Sequence, residues 1–161
     1  MMAAGALGGM LWAAIPALLR VRFNANEILV SLMLTYVATQ LLIYLVSGPW
    51  QDPHGMNFPQ SINFSREALF PRFFGDWHWA LWRGTRLNAS VFMAVVAVPA
   101  AWFFMRKSFA GYRMEVGGLA PLAARYAGYS EPRAVWLALL IGGAAAGLAG
   151  TGEVAGPVGQ L

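Results

Sequence analysis

Four stretches of this chain carry no charged residue: Met1–Leu19, Ile28–Ser47, Leu87–Met105 and Ala134–Gly152. Each is 19 or 20 residues long, and roughly 20 predominantly apolar residues cross the hydrocarbon core of a bilayer as a helix. The runs are continuous and do not alternate with period two, so helices rather than barrel strands are the expected spans. The chain is 58% hydrophobic and 11% charged, against about 25% charged residues in a soluble domain. These features predict an all-α, polytopic membrane protein with about four transmembrane helices.

The charges lie in the connections. Arg20, Arg22, Arg106, Lys107, Arg113, Arg125 and Arg133 fall in the two segments that share one side if all four runs span. The longer connection, residues 48–86, holds Arg66, Arg72, Arg83 and Arg86. Positive-inside bias therefore predicts a cytoplasmic loop over 106–133 and a long external loop over 48–86. The latter contains Pro49, Pro53, Pro59 and Pro71, and its Phe73, Phe74, Trp77, Trp79 and Trp82 read as an interfacial aromatic belt. The N-terminal run has no basic n-region of a secretory signal and reads as a span already in progress. The basic residues form no surface stripe with interleaved aromatics, so no nucleic-acid partner is expected.

Within the spans, Pro16 and Pro99 are candidate kinks. Gly5, Gly8 and Gly9 permit close helix packing, and Gly143 and Gly147 form a GxxxG pair in the small-residue run of the last span. In Ile28–Ser47, Ser31, Thr35 and Thr39 recur at i, i+4 and i+8, with Tyr36, Gln40 and Tyr44 alongside. This polar seam reads either as hydrogen bonding between helices or as the lining of a solute path. Asn24 or Asn26 is a candidate cap for that span, and Glu27 suits its first turn. Glu153 is expected near an interface or buried in a protein-lined cavity.

The loop 106–133 contains a compact helical pattern. Pro121 suits a first helical position, Ala123, Ala124 and Ala127 favour helix, and Gly128 suits a left-handed terminator. One or two turns of helix outside the membrane, tied at both ends to spans, can carry a push from a soluble partner inward. An ordinary loop helix whose charges set topology is the other reading.

Catalytic patterns are missing. There is no phosphate-binding G-x-x-x-x-G-K-[ST], no HExxH and no GxSxG. His54 and His78 are the two histidines and lack spaced acidic partners, and there is no cysteine. The chain is read as no enzyme, with no metal and no cofactor. Asn88-Ala89-Ser90 fits a glycosylation acceptor, a common chance pattern.

Asn26-Glu27-Ile28-Leu29-Val30-Ser31-Leu32-Met33-Leu34-Thr35-Tyr36-Val37-Ala38 resembles a segment of bacterial ABC importer permeases of the simple-sugar and nucleoside type. Three further blocks match in the same order: Gly48-Pro49-Trp50 with Phe58-Pro59-Gln60-Ser61; Ala123-Ala124-Arg125-Tyr126-Ala127-Gly128; and Ala149-Gly150 with Glu153-Val154, Gly156 and Gly159 through Leu161. The resemblance implies a permease of the bacterial plasma (inner) membrane that forms a path for a nucleoside or sugar-like solute by alternating access. The Phe58–Ser61 block tilts this towards the nucleoside branch. It further implies a separate ABC ATPase subunit, a second permease subunit and an extracytoplasmic substrate-binding protein.

By the same resemblance, Pro121, Ala123, Ala124, Arg125, Tyr126 and Gly128 form the segment that couples to the ATPase, and ATP hydrolysis belongs to that partner. Glu27, Ser31, Thr35, Tyr36 and Glu153 are assigned to the translocation path or its gate. Ala120-Pro121 stands where the family has Asn-Pro, Thr35 where it has Asn and Tyr129 where it has Ile. Such permeases are roughly twice as long, so the chain is read as a partial or truncated member. Two rivals come from other classes: a small assembly protein packing through Gly143 and Gly147, and a membrane enzyme built on the histidines. An ion-coupled carrier would need an acidic residue within a span, and Ile28–Ser47 has none.

Overall fold

The structure is a computed structural model and describes residues 1–53, 61 and 90–155. Among them are six helices: α1 (Met2–Phe23), α2 (Glu27–Ser47), α3 (Ser90–Lys107), α4 (Phe109–Leu119), α5 (Pro121–Tyr126) and α6 (Glu131–Glu153). Four of these, α1, α2, α3 and α6, are long and apolar enough to cross a membrane. The sole β feature among the described residues is an isolated antiparallel bridge between Gln51 and Ser61. Both histidines, the aromatic belt, Asn88, Ala89, Phe58–Gln60, Gly156 and Gly159–Leu161 lie outside the described residues.

The spanning helices overrun their apolar cores, and the overruns are charged in a regular way. Arg20 and Arg22 occupy the last turn of α1, and Arg106 and Lys107 that of α3. Glu27 and Glu131 occupy the first turns of α2 and α6. Cations at C-termini and anions at N-termini complement the helix dipole, so the helices continue past the apolar runs by up to a turn. Pro16 and Pro99 lie inside continuous helices.

The turn between α1 and α2 divides two jobs between two asparagines. Asn24 ends α1 in the left-handed conformation (φ 51°), which Asn tolerates better than most residues. Asn26 caps α2, its Oδ1 accepting the Ile28 N–H at 3.0 Å. Arg20 Nε then lies 3.3 Å from Glu27 Oε2 and ties the two helices across the turn.

The main packing in the fold is α1 along α6. The helices run antiparallel, with Gly5 opposite Gly147 and Thr151, Gly9 opposite Gly143 and Gly147, and Ala13 opposite Gly143. A Cβ added at Gly9 would strike the Gly143 carbonyl, and one added at Gly147 would strike the Gly5 carbonyl. Backbone thus meets backbone, as small residues allow in a membrane. Gly8, Gly142 and Gly150 face open space. Thr151 keeps its hydroxyl within α6, donating to the Leu148 carbonyl at 2.9 Å. At the far end of α6, Gly152 lies against the Ser90 side chain at the start of α3.

Helix α4 is not foreseen by the sequence, where 106–133 reads as a polar loop with one short helix. Ser108 starts α4, its Oγ accepting the Gly111 N–H at 3.0 Å. Gly111 lies so close to the end of α3 that a Cβ there would sit 2.5 Å from the Phe104 carbonyl oxygen. The chain therefore turns sharply at Lys107-Ser108 and continues as α4.

Candidate functional site

The site lies at the end of the bundle where α1 stops, α2 begins and α6 begins. Helix α5 is short and fully punctuated. Pro121 stands at its start. At its end, Gly128 takes a positive φ of 77°. The Gly128 N–H donates to the Arg125 carbonyl at 3.0 Å and the Tyr129 N–H to the Ala124 carbonyl at 2.9 Å. This paired closure is a Schellman motif, which uses a left-handed glycine.

One side of α5 is turned inward and the other outward. Ala124 is 5% exposed, whereas Leu122 is 69% and Tyr126 94% exposed. Arg125 Nη2 lies 3.8 Å from Glu131 Oε2 at the start of α6, and both side chains are exposed. In water such a pair contributes little to stability, so it orients α5 more than it holds it. Tyr129, between α5 and α6, meets Phe109 edge to face with ring centroids 6.2 Å apart. The Arg113 guanidinium lies 4.1 Å from the Phe109 ring centroid and 5.1 Å from that of Tyr129. These contacts join α4 to the segment leading into α6.

Together these elements border a half-open cavity of about 540 Å³. Its charged lining is Arg20, Glu27, Arg113, Arg125, Glu131 and Arg133. Its apolar lining includes Met114 on α4 and Val135 and Leu137 on the first turns of α6. Among the described residues, no cluster of histidine, aspartate and glutamate is arranged to hold a metal.

The candidate residues from the sequence divide into three places. Pro121, Ala124, Arg125 and Glu27 line the cavity together, while Ala123 and Tyr126 face outward on α5. Ser31, Thr35 and Tyr36 lie along α2 and are exposed. The hydroxyls of Ser31, Thr35 and Thr39 donate to the carbonyls of Glu27, Ser31 and Thr35 at 2.6, 2.9 and 2.9 Å. The Ser and Thr hydroxyls of the seam thus need no partners on another helix, because they are satisfied within α2. Glu153, expected to be buried or near an interface, is exposed at the last residue of α6. The antiparallel α1–α6 pairing places it at the opposite end from Glu27, and its side chain is exposed while Gly152 and Ala155 on either side of it are buried. Gly143 and Gly147 lie against α1, so the face an assembly protein would use is occupied within the chain. Sequence reasoning treats Arg113, Tyr129, Glu131 and Arg133 only as loop residues and misses their convergence. Their signal is weak: an aromatic residue four positions before Arg113, and a second one beside the helix terminator.

Four apolar helices of spanning length, with charged residues at their ends, define the class as a multi-pass membrane protein. The chain belongs to the family described as branched-chain amino acid transport system / permease component, which it matches over residues 1–160. It is 39% identical over its whole length to a glucose ABC transporter permease protein of Haloferax volcanii, covering 43% of that protein. It is 31% identical over 93% of its length to a guanosine ABC transporter permease protein of Bacillus subtilis, covering 41% of it. A nucleoside ABC transporter permease protein of Lactococcus lactis is 27% identical over 91% of the chain, which covers 40% of that protein. The chain spans about two fifths of the length of these curated relatives. No solved structure matches it. The resemblance to sugar and nucleoside ABC permeases is thereby established, and four helices of the chain are long and apolar enough to cross a membrane.

Proposed function

We propose that this chain forms part of the path by which an ABC importer carries a nucleoside or simple-sugar-like solute, with α5 as the element that a separate ATPase subunit grips. The exposed outer face of α5, Leu122 and Tyr126, carries this reading. Large apolar side chains standing clear of the spans at a basic end fit a protein groove better than they fit water. Positive-inside bias supports a cytoplasmic position for α4 and α5. The named solutes of the relatives, glucose and guanosine, share a polyhydroxylated ring and support the solute class.

In this mechanism, nucleotide-driven movement of the ATPase displaces α5. The displacement passes through the Phe109–Tyr129 contact and the Arg125–Glu131 pair to α4 and α6, and from α6 through the glycine seam to α1. Alternating access follows from the α1–α6 pair moving as one body past α2. A second permease subunit completes the path, and a binding protein delivers solute outside. Ser31, Thr35 and Tyr36 face that path, and Glu27 sits at its cytoplasmic gate. Glu153 stands at the external end of the same route.

The test is copurification. The tagged chain is co-expressed with its ATPase, solubilised gently and captured. Retention of the ATPase by the wild type and its loss with Arg125→Glu or Tyr126→Ala is the expected result. Equal retention by the variants would remove α5 from the dock. Uptake of labelled guanosine and glucose by the assembled importer then separates the two solute types.

A further inference from the structure

We propose that the cavity at the base of α1, α4, α5 and α6 is a binding site for the phosphate headgroup of an anionic lipid. Four arginines and two glutamates line it, leaving an excess of positive charge. The two glutamates are already engaged, Glu27 with Arg20 and Glu131 with Arg125. Arg113 and Arg133 are in no ion pair among the described residues. Arg113 is nonetheless held in place by the Phe109 and Tyr129 rings. A guanidinium fixed in this way loses little freedom on binding an anion, and guanidinium geometry suits phosphate oxygens.

The second observation is where the cavity lies. The arginines come from the last turn of α1, from α4, from α5 and from the first turn of α6, all at one end of the spans. The same lining includes Met114, Val135 and Leu137, and α6 continues from Val135 and Leu137 as an apolar span. A ligand that suits both the arginines and this apolar lining carries phosphate at one end and hydrocarbon at the other. Basic pockets between transmembrane helices take headgroups in this way. The volume lies within the roughly 300–1,000 Å³ range of small-molecule sites. A free phosphate or nucleotide would use the arginines and leave the apolar lining wet. The bound lipid would bridge α1, α4 and α6 and fix the seat of α5. The proposal rests on the membrane placement of the spans and not on the ATPase dock.

The test uses the purified 161-residue chain in detergent. Binding of phosphatidylglycerol, phosphatidylcholine and inorganic phosphate is measured by native mass spectrometry and thermal shift. Phosphatidylglycerol is expected to bind and stabilise, phosphatidylcholine to do neither, and millimolar phosphate to compete poorly. The double variant Arg113→Gln, Arg133→Gln should bind phosphatidylglycerol about thirtyfold more weakly. Arg106→Gln with Lys107→Gln removes the same charge outside the cavity and should keep wild-type binding. Restoring charge with Arg113→Lys and Arg133→Lys should recover part of the affinity. Equal binding of the two lipids, or an equal loss in the control variant, would overturn the site. Full competition by inorganic phosphate would overturn the lipid and leave a phosphate site. If the double variant fails to fold, the wild-type comparison of the two lipids and phosphate decides alone. ATPase retention is a separate readout, so its failure leaves the lipid result standing.

Discussion

Helices α6 and α2 are nearly equal in length, at 23 and 21 residues, and both are apolar enough to span. Yet α6 meets α1 backbone to backbone, while α2 exposes Leu32, Met33, Tyr36 and Val37 with few neighbours. Apolarity does not separate them. In lipid, large aliphatic side chains lose nothing by facing hydrocarbon, so they supply no drive to associate. Close approach does the work, and it needs residues small enough to bring two backbones together. Gly5, Gly9, Gly143 and Gly147 provide that in α1 and α6, and α2 contains no glycine at all. Packing within the chain follows small residues in register, and the large residues are left for lipid or for other chains.

The comparison can be broken most severely at the seam. Gly9→Leu with Gly143→Leu should cost more than about 3 kcal/mol, beyond ordinary core overpacking, because the obstacle is backbone. Thermal unfolding in detergent would then show loss of the cooperative transition. A cap at the α2 turn is a smaller matter: Asn26→Ala should lower stability by about 1 kcal/mol in the same assay. The hydroxyls of α2 sharpen the contrast further. Because they bond their own helix, Ser31→Ala, Thr35→Ala and Thr39→Ala should each change stability by less than about 0.6 kcal/mol. A larger loss would mean that α2 holds a partner within the chain. The smallest effect is expected at Gly142→Leu, one residue from the seam but facing open space. It should stay within about 0.5 kcal/mol of wild type. A change as large as that of the seam variant would show that glycine content, and not register, sets the packing.

The spans were legible because 19 or 20 residues without a charge match the thickness of a bilayer, and a soluble fold would break such a run with polar positions. Helix α5 was legible through Pro121 and Gly128, whose backbone preferences are local. Helix α4 was not, because Gly111, Gly117 and Gly118 depress its propensity. Its start depends on Ser108 and on the close approach of Gly111 to α3, which is a tertiary fact. The small-residue motif of α6 stood out, but its match with Gly5 and Gly9 did not, since nothing local sets the register of helices so far apart. The basic cavity was hidden for the same reason. Arg20, Arg113 and Arg133 come from three separate elements and looked like topology charges.

The seam also sets a timetable for assembly. Its two halves lie near opposite ends of the described chain, so α1 enters the bilayer long before α6 is made. At roughly 5–20 residues per second, the interval is on the order of ten seconds. Through that interval Gly5 and Gly9 present a bare backbone strip with no mate, and any passing small-residue helix can take the place of α6.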